Sequence, residues 1–415
     1  MPIIETVVKQ HAEESAFLWL LRDRAVHAPH YSLKDMAKLD NRLDAHIDGL
    51  RIAGDAGWEI CKEAMSAGES GEVFAAAVLA FESGDAARIQ MVLEVAEEKL
   101  DTCRGLVSTL GWLTWQQAEV HIAKLLADGS PLFRYLGLAA CAAHRQDPGS
   151  ALTDALRDET PIIRARALQS VGELGKKDLL DFIQNNLTDA DDFCRYSAAC
   201  SAALLGDAGS AAVLKSFVRA DFPWPEDALI IAMRRMMPAA AIEWQAAELA
   251  KQPGTLRLAI IGAGAIGDPI LTPWLMERMA VPELARIAGE AFTMITGVDI
   301  AYEDLEGKRP EGFESGPTEN PEDEDVEMDP DEDLPWPDPE LIRTWWEKNK
   351  SRFRNGTRYL LGQPITFEQM EHVLRTGRQR QRHAAALEMS MLKTGLPLFE
   401  VRAPGFRQQQ MLGLK

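Results

Sequence analysis

Cysteine is scarce in this 415-residue chain, and what there is follows no motif. The five thiols, Cys61, Cys103, Cys141, Cys194 and Cys200, are odd in number, widely spaced and without a CxxC, which excludes a disulfide framework and a thiolate zinc site. A reduced compartment fits them. Aromatic residues reach only 7%, too few for a sheet-rich core, and no apolar run approaches the roughly 18 residues that cross a bilayer. The opening MPIIETVVKQHAEE lacks a basic stretch followed by an apolar one, so a cytoplasmic protein is expected. Positive charge is short as well. The formal charge of -20 repels nucleic acid and anionic membrane at long range. There is no GxSxG, and no cysteine has a local nucleophile signature, so nucleophilic catalysis has no support.

What the chain does have is alanine and leucine in segments of helical spacing, which points to an all-α protein. The segments repeat. Arg104, Arg134, Arg164, Arg195, Arg257 and Arg286 recur at intervals of 30, 30, 31, 62 and 29, the 62 being two periods with one arginine missing. Pro131 and Pro161 lie three residues before an arginine, where proline suits a first helical turn. About eleven residues after it stands a glycine, at Gly175, Gly206, Gly267 and Gly297, placed to end the first helix of a pair; Gly84 with Asp85 looks the same at the front. One such pair cannot bury its apolar face alone, so the pairs must stack into an α-solenoid. The arginines are then structural, tying a helix start to an acid or carbonyl of a neighbouring repeat. FPWPEDALIIAMRRMMP, around Trp224 to Met237, has three prolines and no arginine in register, and predicts an irregular pair.

The repeat unit TPIIRARALQSVGELGKKDLLDFIQNNLTDA resembles the short HEAT-like repeats of the phycobilisome-lyase type. The expected organisation is a helical N-terminal cap at 1–70, about seven HEAT-like pairs at 71–302, an acidic Pro-rich linker at 303–337 that is disordered or extended, and a basic helical C-terminal module at 338–415. In the cap, Ser32 is placed to start a helix carrying Met36, Leu39, Leu43, Ile47 and Leu50 on one stripe. In the tail, Asp338 or Pro339 starts a helix through Trp345 and Trp346, Asn355-Gly356 marks a turn, and Thr366 with Gln369 forms a capping-box pattern. Charge divides sharply here. Residues 303–340 hold seventeen acids against two bases, and residues 341–415 hold fourteen bases against five acids, so the linker is expected to fold back on the tail.

The cap segment HAEESAFLWLLRDRAVHAPHYSLKDMAKLDNRLDAHIDGLRIAGDAGWEICKEAM is distinctive, as are LPWPDPELIRTWWEKNKSRFRNGTRYLLGQPIT and QRQRHAAALEMSMLKTGLPLFEVRAPG. Together they resemble a family of bacterial HEAT-repeat proteins found near type VI secretion genes. The resemblance implies a cytoplasmic accessory protein with a protein partner, such as a type VI secretion effector or spike component, and no catalytic residues.

Other chemistry is weakly supported. GAGAIG at Gly262 to Gly267 matches the GxGxxG fingerprint, but a dinucleotide site needs a strand before the glycines, and Arg257 puts this run inside a repeat helix. His11, His27, His30 and His46 lie among carboxylates without metal-ligand spacing. No His-Glu dipeptide occurs, which removes the di-iron hydroxylases of HEAT-like fold. No cofactor is expected. The tail offers candidate partner-binding residues, Trp345, Trp346, Arg375, Arg378, Arg380 and Arg382. The reading is a non-enzymatic interaction scaffold, with an enzyme or small-ligand lyase on the same fold as one alternative and nucleic-acid binding through the basic tail as another.

Overall fold

The computed structural model describes residues 3–317 and 328–414, mainly helical with two two-residue strands among the described residues, in two compact units. The first comprises residues 1–205, 375–380 and 393–415, and the second residues 206–374 and 381–392. The tail, expected as one module, is thus divided between them.

In the first unit, α1 (Glu5–Ala25), α2 (Leu33–Ala53) and α3 (Asp55–Met65) pack together and on α4 (Ser70–Ser83). The helix pairs follow: α4 with α5 (Ala86–Glu98), α6 (Cys103–Trp112) with α7 (Trp115–Leu126), α8 (Pro131–Ala143) with α9 (Ser150–Ala155), and α10 (Pro161–Glu173) with α11 (Leu180–Asn185), before α12 (Asp192–Leu205). The first helices stack in order, α1 on α4, then α6, α8, α10 and α12. Their shared surface is alanine-rich, and Ala76, Ala140, Ala167 and Ala198 are fully buried, which lets neighbouring axes approach closely. Ser32 and Asp35 form the reciprocal cap of α2, and Met36, Leu43, Ile47 and Leu50 are fully buried.

The second unit continues the pattern with α13 (Ser210–Lys215), α14 (Pro225–Arg235), α15 (Pro238–Trp244), α16 (Leu256–Ile266), α17 (Thr272–Arg278) and α18 (Pro282–Thr296), in which α14, α16 and α18 stack. The irregular pair lies where the prolines place it. After α15 the chain widens into a π-helical stretch at Gln245–Leu249, and Trp224 before α14 is exposed. GAGAIG lies inside α16 and not on a strand-to-helix turn. A Cβ on Gly262 would meet Met233 of α14 at 3.2 Å, and one on Gly264 would meet Ala291 of α18 at 3.1 Å, so these glycines serve close packing on both sides. Gly267, at φ +75, ends the helix.

The tail begins with α19 (Pro339–Asn349), capped by the Asp338 side chain, which accepts from the Glu340 and Leu341 amides. The two-residue strands β1 (Tyr359–Leu360) and β2 (Gln363–Pro364) pair antiparallel, Tyr359 opposite Pro364. Then come α20 (Phe367–Thr376), α21 (Gln379–Leu392) and α22 (Gly405–Met411). Thr366 caps α20, accepting from the Gln369 amide at 3.2 Å, but the Gln369 side chain donates to the Leu360 carbonyl, so the reciprocal half of the capping box is missing.

The acidic linker departs from expectation in its described parts. Its base is closed by the Gly307 amide donating to the Trp336 carbonyl at 2.8 Å and the Asp338 amide to the Leu305 carbonyl at 2.9 Å. Leu305 and Leu334 are buried, and Phe313 meets Trp336 edge to face at 5.0 Å. Charge counting obscured these four apolar anchors. Residues 318–327, which hold six of the linker's acids, lie outside the described residues.

Candidate functional site

The register arginines stand at the N-terminal edge of the stacked helices. In the first unit they form a ladder with acids of the intervening loops. Arg134 pairs with Asp158 at 3.1 Å, while the Asp158 carbonyl accepts from Arg164 at 2.8 Å. Arg164 in turn pairs with Asp189 at 3.1 Å, and the Asp189 carbonyl accepts from Arg195 at 2.5 Å. Each aspartate joins one arginine through its side chain and the next through its backbone. Arg195 also pairs with Asp192, and Arg104 reaches back to Asp23 at 2.9 Å with its guanidinium over Trp19. The hydrogen bond that Arg164 donates to Asp189 raises the Arg164 pKa against burial; burial opposes the downward shift of Asp189, and Arg164 enforces it. Asp158 and Asp189 were missed in the sequence, although each lies six residues before the next register arginine and the same periodicity would have found them.

In the second unit the loops before α16 and α18 carry no acid at that offset, where Lys251 and Ala280 stand. The partners come instead from beyond the array. Arg257 makes two hydrogen bonds of 2.7 Å to Asp331, and Arg286 one of 2.6 Å to Asp329 with its guanidinium 4.6 Å from the Trp336 ring centre. Two of the described linker acids, Asp329 and Asp331, therefore engage array arginines, where the charge division predicts a linker folded back on the tail. The register position of α14 is Glu226, whose charge acts on Arg257.

The opposite edge, where the helices end in unpaired carbonyls, is held by the tail. In the second unit Arg358 donates to the carbonyls of Ala265, Ile266 and Arg234, the Tyr359 amide donates to the Gly267 carbonyl at 2.8 Å, and the Leu361 and Gly362 amides to those of Met294 and Ile295. A Cβ on Gly267 would stand 2.4 Å from the Tyr359 carbonyl oxygen, and one on Gly297 would stand 2.6 Å from the Leu361 carbonyl. These two glycines both turn the chain and admit the tail. In the first unit Arg407 donates to the carbonyls of Gly111, Trp112 and Leu113, the Leu398 amide to that of Glu173, and Arg145 to that of Leu398. Cations at helix C-termini are favourable for the macrodipole as well as for the carbonyls.

Each unit also holds one tail carboxylate between two arginines. Glu388 accepts from Arg234 at 2.7 Å and from Arg358, with the Glu388 and Arg234 side chains 2% exposed. Glu400 lies 3.2 Å from Arg145 and 3.4 Å from Arg402; burial would raise its pKa, but the two guanidinium groups hold it down at about 2. The N-terminal cap closes on the tail through Arg22, which donates to Asp40 at 2.7 Å and to the Arg402 carbonyl at 2.6 Å, while Asp40 accepts from the Gly405 amide.

Of the six tail candidates, Trp345 and Trp346 are neighbours on α19. The Trp345 indole N–H donates to Glu303 at 2.9 Å, and Trp346 is buried against Phe292 and Phe353. Arg375 donates to the Leu412 carbonyl and Arg380 to that of His27 at 2.9 Å, while the Arg378 main chain forms an isolated antiparallel bridge with that of Ser32. Arg382 is fully buried, donates to the Leu374 carbonyl at 2.8 Å, and has its pKa lowered by burial to about 10. The arginine cluster is thus not one surface patch: Arg375, Arg378 and Arg380 belong to the first unit and Arg382 to the second.

Four of the five cysteines are buried, and burial pushes the Cys61, Cys141 and Cys194 thiols up to about 12, far from a thiolate at neutral pH. His11 and His46 meet across α1 and α2, Nδ1 to Nδ1 at 3.2 Å, and among the described residues no three His, Cys, Asp or Glu side chains gather as metal ligands. No described helix is long and apolar enough to cross a membrane.

A family model of HEAT repeats matches residues 149–234, the stretch that includes the Arg164 and Arg195 rungs of the ladder. Comparison with curated proteins and with solved structures finds no significant match. The fold is an all-α HEAT-like solenoid, and the chain is a HEAT-like repeat protein.

Proposed function

We propose that this chain is a non-enzymatic interaction scaffold that acts in the bacterial cytoplasm as an adaptor or accessory for type VI secretion cargo or apparatus. HEAT repeats commonly serve protein interaction, and the HEAT match carries the scaffold half of the reading. The type VI half rests on the resemblance of the cap and tail segments. The internal use of the polar groups supports a scaffold further: the register arginines, the tail residues Arg358, Arg380, Arg382 and Arg407 and the buried carboxylates are spent on one another and on helix ends, and the Cys61, Cys141 and Cys194 thiols are held protonated. Such side chains position other elements of the fold.

The test is affinity capture with the full chain as bait from a bacterium that carries type VI secretion genes. Recovery of an effector or spike component supports the adaptor, and its absence alongside recovery of unrelated proteins ends it. Removing the tail is not a usable control, because residues 358–362 and 395–407 complete the helix ends of the array. Point substitutions at exposed positions must replace it.

A further inference from the structure

One surface in the second unit is chemically unlike the rest of this acidic chain. Between α17 and α19 lies an open groove of about 640 Å³, whose walls are Pro269, Ile270, Pro273, Trp346 and Phe353. Ile270 is half exposed at its mouth, so the groove offers apolar surface to whatever enters. The rim is basic: Lys350 and Arg354 border the groove, and Arg343, Lys348 and Arg352 lie on the same segment, five bases against the single acid Glu347 in residues 343–354. Glu347 is itself paired with Lys350. Arg354 is exposed, and among the described residues its guanidinium has neither a hydrogen bond nor an ion pair, unlike the tail arginines that cap helix ends.

We propose that this groove is a docking site for an acidic segment of a partner protein, with an apolar side chain seated between Ile270 and Phe353 and carboxylates on Lys350 and Arg354. This rests on the scaffold reading and names the chemistry of its partner. Charge complementarity selects the occupant: a +4 segment on a -20 chain attracts acid and discriminates against neutral or basic peptides. The chain itself shows the mode in the same unit, where Asp329, Asp331 and Trp336 dock on Arg286 and Arg257 through carboxylates and an aromatic anchor. A nucleic acid is a poorer fit. Trp346 is buried against Phe292 and Phe353, and Phe353 meets Tyr359 edge to face, so the groove does not present a free ring for base stacking.

The experiment pans a random dodecapeptide phage library on the full chain and measures an enriched peptide by fluorescence anisotropy. Enrichment of peptides combining Asp or Glu with a large apolar residue is expected. Lys350→Glu with Arg354→Glu should weaken the peptide at least tenfold, Ile270→Asp at least fivefold, and Lys38→Glu in the first unit not at all, each variant keeping the parent circular dichroism. Enriched peptides without acidic bias, or binding unchanged in the double variant, overturn the proposal. Binding of a labelled oligothymidylate that the double variant abolishes would assign the groove to nucleic acid, and self-association abolished in the same way would assign it to a second copy; either overturns it. Affinity capture of secretion components that persists in the double variant removes the groove and leaves the scaffold reading standing.

Discussion

The two units solve the same two problems with different parts. Each anchors the tail through one carboxylate held between an array arginine and a tail arginine, Arg145–Glu400–Arg402 in the first and Arg234–Glu388–Arg358 in the second. Each ties its register arginines to aspartates. For Arg134 and Arg164 the first draws those aspartates from its own loops, 24 and 25 residues downstream, whereas the second takes both of its aspartates from 43 and 74 residues away. A repeat can thus lose its local acid without losing the rung, provided another part of the chain supplies one. The consequence is that Arg257 and Arg286 of the second unit depend on the linker for contacts that Arg134 and Arg164 of the first make within the array.

The largest expected effect follows from the anchors. Glu388 and Arg234 are 2% exposed, so Glu388→Ala leaves the buried Arg234 guanidinium without its counter-charge beside Arg358 and should cost about 3–5 kcal/mol. Hydrogen exchange should locate the loss in α14, α16 and α21, with α8 and α10 unchanged. Uniform loss of protection would mean that the two units unfold as one and would dissolve the comparison.

Glu400 is the more exposed anchor, its side chain 12% accessible, and it titrates. Its folded pKa of about 2 lies below the ordinary 4.5, so its stabilising contribution is complete above pH 4.5 and is lost as pH falls towards 2. Glu400→Gln should remove up to about 3 kcal/mol at neutral pH and flatten the decline in protection of α8 and α10 between pH 4.5 and 2. An unchanged acid limb would show that Arg145 and Arg402 do not hold the carboxylate in solution.

How much of this was legible depends on chain distance. The six arginines, the glycine terminators, the Ser32 cap and the helical setting of GAGAIG all follow from neighbours within one repeat, and sequence periodicity carries such information. Asp158 and Asp189 were equally local and simply unread. Asp329 and Asp331 could not be found this way, because nothing in a run of acids marks which two will meet a given arginine. The same holds for the tail. Arg375, Arg378, Arg380 and Arg382 read as candidates for binding a partner, yet Arg375, Arg380 and Arg382 are directed at carbonyls, as are Arg358 and Arg407, and a carbonyl at a helix end leaves no trace in the sequence. Composition likewise hid the linker's four apolar anchors behind its charge.

The smallest effect discriminates best. Asp329→Ala with Asp331→Ala removes the long-range rungs, and Asp158→Ala with Asp189→Ala removes the local ones. Each lost charge-assisted pair is partly buried and should cost about 1–2 kcal/mol. Their reach should differ. In the first unit the loss stays local, raising exchange only in the first turns of α8, α10 and α12, because the loops that carry Asp158 and Asp189 remain tethered by short connections at both ends. In the second unit the aspartates also fix the segment that sets Trp336 against Arg286 and Phe313, so exchange should rise in residues 303–317 and 328–338 as well as at the starts of α16 and α18. An equally local response in both double variants would show that the apolar anchors alone hold that segment, and that Asp329 and Asp331 complete the ladder without closing the loop.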